Sequence, residues 1–293
     1  VEIFRALAVL AEPPGRAGAA RVAEALKLGA VPEASLYTET FVFQLYPYSS
    51  VYLGAEGMLG GEARDRVAGF WRALGQTPPA EPDHLPVLLA LYARLCEFEE
   101  EEDESVRRQM WRTARRAFLW EHLLSWLPVY LDKLSEIAPP FYRSWGELLR
   151  AVLLEEVSIV GRQEELAAPL RAAPLIADPR QGDSREFISS LLAPARAGVI
   201  LVRADLARAA RKLGLGLRAG ERRFALEALL GQNPRAVLSW LAEEVGARAE
   251  RHAHNSAQLG AVAEWWRARA EATSELLRSL AEEAADAPSG LPS

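Results

Sequence analysis

The four histidines are the first residues to test for chemistry, because imidazole titrates near neutrality and can act as acid, base or metal ligand. Two of them follow a carboxylate, in Asp83-His84 and Glu121-His122, a pairing that in a catalytic site would orient the ring. Consecutive residues on a helix do not face each other, so neither acid is expected to orient its own neighbour. The other two form His252-Ala253-His254. Residues two apart on a helix point about 200° apart, and no Cys or third His is nearby, so a shared metal ion is not expected. Ser49, Ser50 and Ser125 lack a G-x-S-x-G elbow, and Gly54, Gly57, Gly60 and Gly61 lack the Lys-Ser/Thr of a phosphate-binding loop. These patterns assign no catalytic residue, cofactor or metal.

The elements that must carry these residues are helices. Leu85, Leu88, Leu89, Tyr92, Leu95 and Cys96 recur at helical spacing, with Asp83 as the expected N-terminal cap and Pro86 in the first turn, where it loses no helical bond. His84 then lies at the exposed end of that helix. Phe118, His122, Trp126 and Tyr130 are spaced four apart and fall along one side of a long helix, with Glu121 beside them and Pro128 as an expected kink.

Three motifs in series carry a resemblance: Leu45-Tyr46-Pro47-Tyr48 at the end of a helix, then Glu81-Pro82-Asp83-His84-Leu85, then Phe118-Leu119 through His122-Leu123 to Trp126. In order and spacing this resembles the TorD/DmsD/NarJ family of redox-enzyme maturation chaperones, over roughly Leu36 to Val157. The resemblance implies an all-α bundle and a cytoplasmic protein that binds the twin-arginine leader or the body of a molybdenum-cofactor oxidoreductase subunit, holding back export until the cofactor is loaded. It also implies that Glu81, Asp83, His84, Glu121, His122, Trp126 and Tyr130 lie at or near a client groove. Asp83 and Glu121 would pair with basic leader residues, and Trp126 and Tyr130 would supply apolar contact. Relatives often have Asp where this chain has Glu121, so the contact there would shift. Two alternatives from other classes are a guanine-nucleotide-binding enzyme, which the missing phosphate loop disfavours, and a helical scaffold or DNA-binding regulator.

Composition is that of an ordinary globular protein: 293 residues, half of them hydrophobic and a quarter charged. A net charge of −6 disfavours a general nucleic-acid binder. Cys96 is the single cysteine, which excludes an internal disulfide, and its place on an apolar face marks it as packing. No apolar run reaches the ~20 residues of a membrane-spanning helix, and no charged-then-apolar export signal opens the chain, so a cytoplasmic location is expected.

Taken in order, helices are expected at Glu2–Ala11 and Gly15–Leu28 as an N-terminal addition over residues 1–32. The Leu36–Leu45 stretch, apolar all round, reads as a central helix. Further helices follow over Glu62–Leu74, Ser105–Leu134 and Phe141–Val157, completing a core over 33–160. Residues 161–183, with three prolines, read as a linker, and 184–293 as a helical extension. In the extension Asp183 and Glu186 suit a capping box, helices are expected to end before Gly214 and Gly231, Asn233-Pro234 starts the next, and Ala284–Ser293 reads as a frayed tail.

Two charge clusters remain. Glu97 to Glu104 holds seven carboxylates in eight positions, a solvated helix end that would also attract a twin-arginine peptide. Arg196, Arg203, Arg208, Arg211, Lys212, Arg218, Arg222 and Arg223 outnumber Asp205 and Glu221 by six. This segment superficially resembles a helix-turn-helix, but the Gly214–Gly220 connection is too long for one. Ion pairing at the surface is the ordinary reading. A docking surface for an acidic client, or for phosphates of its cofactor, is the functional one.

Overall fold

The computed structural model describes residues 1–286 and is all-helical over that range; among these residues no strand forms, and one antiparallel bridge joins Tyr48 to His84. The chain divides into two compact units, the first comprising 1–54, 58–172 and 258–262, and the second 55–57, 173–257 and 263 onward.

The first unit contains α1 (Glu2–Leu10), α2 (Ala19–Ala25), α3 (Ala34–Tyr37), α4 (Ser49–Leu53), α5 (Gly61–Ala73), α6 (Leu85–Glu101), α7 (Ser105–Phe118), α8 (Leu127–Ile137), α9 (Pro140–Val160) and α10 (Ala168–Ala172). Its centre is α6, whose expected apolar stripe is fully buried. Cys96 lies in that stripe, and burial pushes its thiol up to about 12, so it packs as an apolar residue. The N-terminal residues form part of this core: Phe4 meets Tyr92 edge-on at 4.7 Å, and Trp145 donates its indole N–H to Leu7 O at 3.1 Å. Of the expected linker, residues 161–172 belong to this unit and include α10, with Leu170 fully buried.

Two π-helical turns interrupt the helices, at Thr38–Val42 and Leu119–Leu123. The first corrects the expected central helix. Thr38 and Thr40 return their hydroxyls to Ala34 O and Leu36 O, a back-bonding that loosens a helix, and Phe43 N and Leu45 N bond five residues back to Thr38 O and Thr40 O. Tyr37, Phe41 and Leu45 point inward, while Leu36 and Phe43 are exposed. The second turn corrects the continuous helix expected over Ser105–Leu134. The chain leaves α7 through the π turn and restarts at α8, where Pro128 sits in the first turn instead of forming a kink.

Beneath α6, α7 and α9 lies a buried polar network that periodicity does not announce. Tyr92 donates to Glu156 at 2.5 Å, Arg115 donates to Tyr92 at 3.2 Å and to Glu99 at 2.9 Å, and Arg115 also pairs with Glu156. Each charged group there has an opposite partner, as an interior ion pair requires.

The second unit contains α11 (Ser184–Leu191), α12 (Pro194–Ala197), α13 (Arg203–Leu213), α14 (Arg222–Gln232), α15 (Pro234–His254) and most of α17 (Ala261–Asp286), which follows the short α16 (Ser256–Leu259). Leu191, Leu206, Leu226, Leu229, Leu241, Val245 and Leu277 form its core. Asp183 caps α11 through Arg185 N at 2.9 Å, but Glu186 completes no box and pairs with Arg196. Asn233 caps α15 through Ala236 N at 3.0 Å, with Pro234 in the first turn. α14 runs through Gly231 to Gln232, two residues past the expected end, and α13 ends at Leu213 before Gly214 as expected. Gly198 closes α12 at φ 71°, and a Cβ there would sit 2.8 Å from Ala270 Cα, so this close approach to α17 requires glycine. Of the expected frayed tail, residues 284–286 are helical and the remainder lies outside the described residues.

Candidate functional site

The three motifs meet where the first π turn ends. Three consecutive carbonyls are released there, and each is taken by a different part of the chain. Leu45 O accepts from the Tyr130 hydroxyl at 3.4 Å, Tyr46 O from the Tyr52 hydroxyl at 2.7 Å, and Pro47 O from Leu85 N at 2.8 Å. Backbone acceptors left unpaired in an interior cost free energy, so these partners hold the corner closed. Below it the rings of Tyr52 and Trp126 stack at 5.1 Å, and Tyr130 meets both edge-on.

Asp83 is 2% exposed and does not cap its own helix, whose N-cap position is His84. Its carboxylate accepts from Ser50 N at 3.2 Å and its carbonyl from Ser49 N at 3.0 Å, so it caps α4 across the corner. Ser50 in turn accepts from Gly60 N at 3.1 Å, extending the chain of contacts to the loop that carries Met58 and Leu59. The expected pairing of Asp83 with client arginines is therefore not available to this buried carboxylate.

Glu81 and His84 face outward. The Tyr48 hydroxyl donates to Glu81 at 3.0 Å, and the Tyr48 ring stacks on His84 at 4.6 Å. Burial and then the Glu81 bond raise the Tyr48 hydroxyl above its ordinary range, so it stays a donor. His84 is half-buried, and burial lowers its pKa against the opposing pull of Glu81. This ledge presents a neutral imidazole, an aromatic ring and a carboxylate.

Trp126 and Tyr130 have no exposed surface, which corrects their expected role as groove walls. Their work is internal: the second π turn frees Glu121 O and His122 O, which accept from the Ser125 hydroxyl at 2.8 Å and the Trp126 indole at 2.9 Å. The side chain of His122 packs between Phe70 and Phe118, at 5.5 and 5.1 Å, and burial, with Arg66 nearby, lowers its pKa to about 4. Glu121 is half-buried, and its carboxylate accepts from Ala168 N at 2.9 Å, capping α10. The neighbours of Glu121 and His122 are thus different from those of Glu81 and His84.

The acidic run is partly committed, Glu97 to Arg5 and Arg94, Glu99 to Arg115 and Glu104 to Arg107. Most of the basic set is committed within the second unit. Arg196 binds Glu186 and Leu175 O, Arg203 binds Gly220 O, Arg208 binds Asp205 and Glu244, Arg222 binds Leu201 O, and Arg223 binds Glu227. Arg218 lies over the Phe224 ring and Arg211 is exposed. Those five arginines hold their own fold, which reduces the expected docking surface to Arg211 and Arg218. His252 is buried against Gly198 O and His254 bonds Glu250 O, so they do not converge. Among the described residues no three His, Cys, Asp or Glu side chains gather as a metal site would require.

Sequence reasoning missed Tyr52 and Ser50, although a Ser-Ser pair after an extended aromatic is a recognisable helix start. It also missed the exposed apolar side chains of 36–59, which an all-apolar pattern assigns to the interior.

Residues 16–132 match the family described as nitrate reductase delta subunit, a span that contains all three motifs and begins and ends earlier than the motifs alone indicated. Proteins named "Chaperone protein TorD" from two strains of Vibrio vulnificus, YJ016 and CMCP6, are each 29% identical over 132 residues, 43% of this chain and 61% of theirs. A third, from Shewanella amazonensis, is 29% identical over 141 residues, 39% of this chain and 55% of its own. The family likeness read from the motifs is present in both comparisons; the chain spans about three-fifths of the curated relatives it matches. No solved structure gives a significant match.

Proposed function

We propose that this chain is a maturation chaperone for a redox enzyme, binding the twin-arginine leader or the body of a molybdenum-cofactor oxidoreductase subunit in the cytoplasm until the subunit is ready for export. One observation carries the reading: the Tyr46–Ser50/Glu81–Leu85 corner, built from the motifs that resemble the chaperone family, lies inside the span that matches the family model. A corner made at such structural expense, with Glu81, Tyr48 and His84 left at the surface, suits recognition of a peptide by shape and charge without any chemical step. Among the described residues no helix is long and apolar enough to cross a membrane.

The test is a fluorescence-anisotropy titration of the full chain against fluorescein-labelled twin-arginine leaders of molybdenum oxidoreductases from the same genome. Saturable binding to one leader is expected, weakened several-fold by His84→Ala, which removes the ring stacked on Tyr48. If the folded chain binds no leader and no client subunit, the proposal fails.

A further inference from the structure

Twelve large hydrophobic side chains are exposed among the described residues, and six of them fall between positions 36 and 59: Leu36, Val42, Phe43, Tyr46, Met58 and Leu59. Phe43 is 59% and Met58 65% exposed, values at which such side chains lose the free energy that burial would give them. The same span has a second property. From Leu28 to Ala63 the sequence contains no Lys, Arg or His, while Glu33, Glu39, Glu56 and Glu62 are carboxylates. Elsewhere the chain is rich in arginine, so an apolar stretch that contributes no cation of its own is a local feature, although Arg66 reaches back to Glu62 at its end.

This surface is held in place. The π turn makes adjacent Val42 and Phe43 both face outward. The carbonyl of Tyr46 is tied to Tyr52, and the Met58–Leu59 loop is tied through Gly60 N to Ser50 and thence to Asp83. Gly60 and Gly61 adopt φ of 90° and 67°, conformations that glycine takes without strain. Both apolar clusters are therefore anchored to the one corner described above, and Glu81 and Glu39 stand on its exposed elements.

We infer that the Leu36–Tyr46 ridge and the Met58–Leu59 tip receive the apolar stretch of a cationic peptide segment, with the surrounding carboxylates meeting its basic residues. The inference rests on the function proposed above and names the contact surface for the leader, which the buried Trp126 and Tyr130 cannot supply. Charge favours this occupant: Glu62 is already engaged by Arg66, but the stretch also carries Glu33, Glu39 and Glu56 and contributes no cation of its own, so arginines beside an apolar run meet carboxylates that an acidic segment would be repelled by.

The experiment uses the full chain, the twin-arginine leader peptide of the titration above, and the same peptide with both arginines changed to glutamine. The variants are Phe43→Ser and Leu59→Ser, whose side chains contribute little to the fold because they are exposed; circular dichroism and urea midpoints are expected to match the parent. Each variant is expected to weaken leader binding about tenfold, since burying one such side chain is worth roughly that factor or more. The glutamine peptide is expected to bind more weakly and with less dependence on salt. If the parent binds the leader and both variants bind it equally well, the surface assignment is overturned while the proposed function stands. If the parent binds a client subunit but no leader, the surface assignment falls and the proposed function stands; if it binds neither, both fall. Equal affinity for the arginine and glutamine peptides overturns the charge argument. A concentration-dependent dimer that Phe43→Ser abolishes, with leader binding unchanged, assigns the surface to a second copy instead.

Discussion

Replacing Asp83 separates a residue that touches a client from one that shapes the surface a client touches. The carboxylate is buried, accepts from Ser50 N at 3.2 Å, and through Ser50 reaches Gly60 N at 3.1 Å. Asp83→Ala leaves the Ser50 N–H without a partner in an interior that water does not reach. Loss of a charge-assisted capping bond, with an orphaned donor, corresponds to about 2 kcal/mol of stability. Asp83→Asn keeps an acceptor oxygen in the same place and should lose about 1 kcal/mol or less. The assay is urea unfolding by circular dichroism for both variants, combined with a double-mutant cycle in leader binding: Asp83→Asn against the arginine-to-glutamine peptide. The coupling energy is expected to lie within about 0.5 kcal/mol of zero, because the carboxylate and the leader's arginines share no contact. A coupling well above about 1 kcal/mol would show that Asp83 meets the client directly and would refute the positioning argument.

His122 and Gly198 give two further outcomes. Burial holds His122 neutral with its pKa lowered to about 4, against about 6.5 in the unfolded chain, so the stability this provides is complete above pH 6.5 and is lost as pH falls towards 4. The loss attributable to it is roughly 3 kcal/mol, and the urea midpoint of the parent should fall towards that of His122→Leu between pH 7 and 4.5; parallel pH profiles for the two proteins would exclude this role. In the second unit Gly198→Ala forces a Cβ against the Arg269–Ala270 backbone at a positive φ and should cost about 3 kcal/mol or more, seen as a lowered thermal midpoint; an unchanged midpoint would mean that α12 and α17 separate without cost.

What was legible in the sequence was whatever repeats locally. The stripe from Leu85 to Cys96, the Asn233-Pro234 start of α15 and the cap at Asp183 were all read from residues within one or two turns of each other. Asp83 shows where such reading stops. A short acid before a helix predicts a cap on that helix, yet the oxygen serves an amide 33 positions away. The π turns are invisible for a related reason: a pattern sampled every 3.6 residues cannot register one added residue, and so Leu36 and Phe43 were placed inside, while Trp126 and Tyr130 were placed at a groove by the resemblance alone. The Tyr92–Arg115–Glu156 network was equally hidden, since charged residues on helices are ordinarily solvated and only the packed helices show these to be interior.

The three carbonyls at the end of the first π turn also set an order of events during synthesis. Tyr52 follows Tyr46 almost at once, Leu85 arrives later, and Tyr130 lies 85 residues beyond Leu45. A nascent chain therefore exposes the Tyr46–Tyr48 turn with only part of its closure available, and loop closure over that distance carries an entropy cost that local helices do not. The Tyr46 and Pro47 carbonyls can therefore be satisfied before the Leu45 carbonyl, whose partner becomes available only after Tyr130 has left the ribosome.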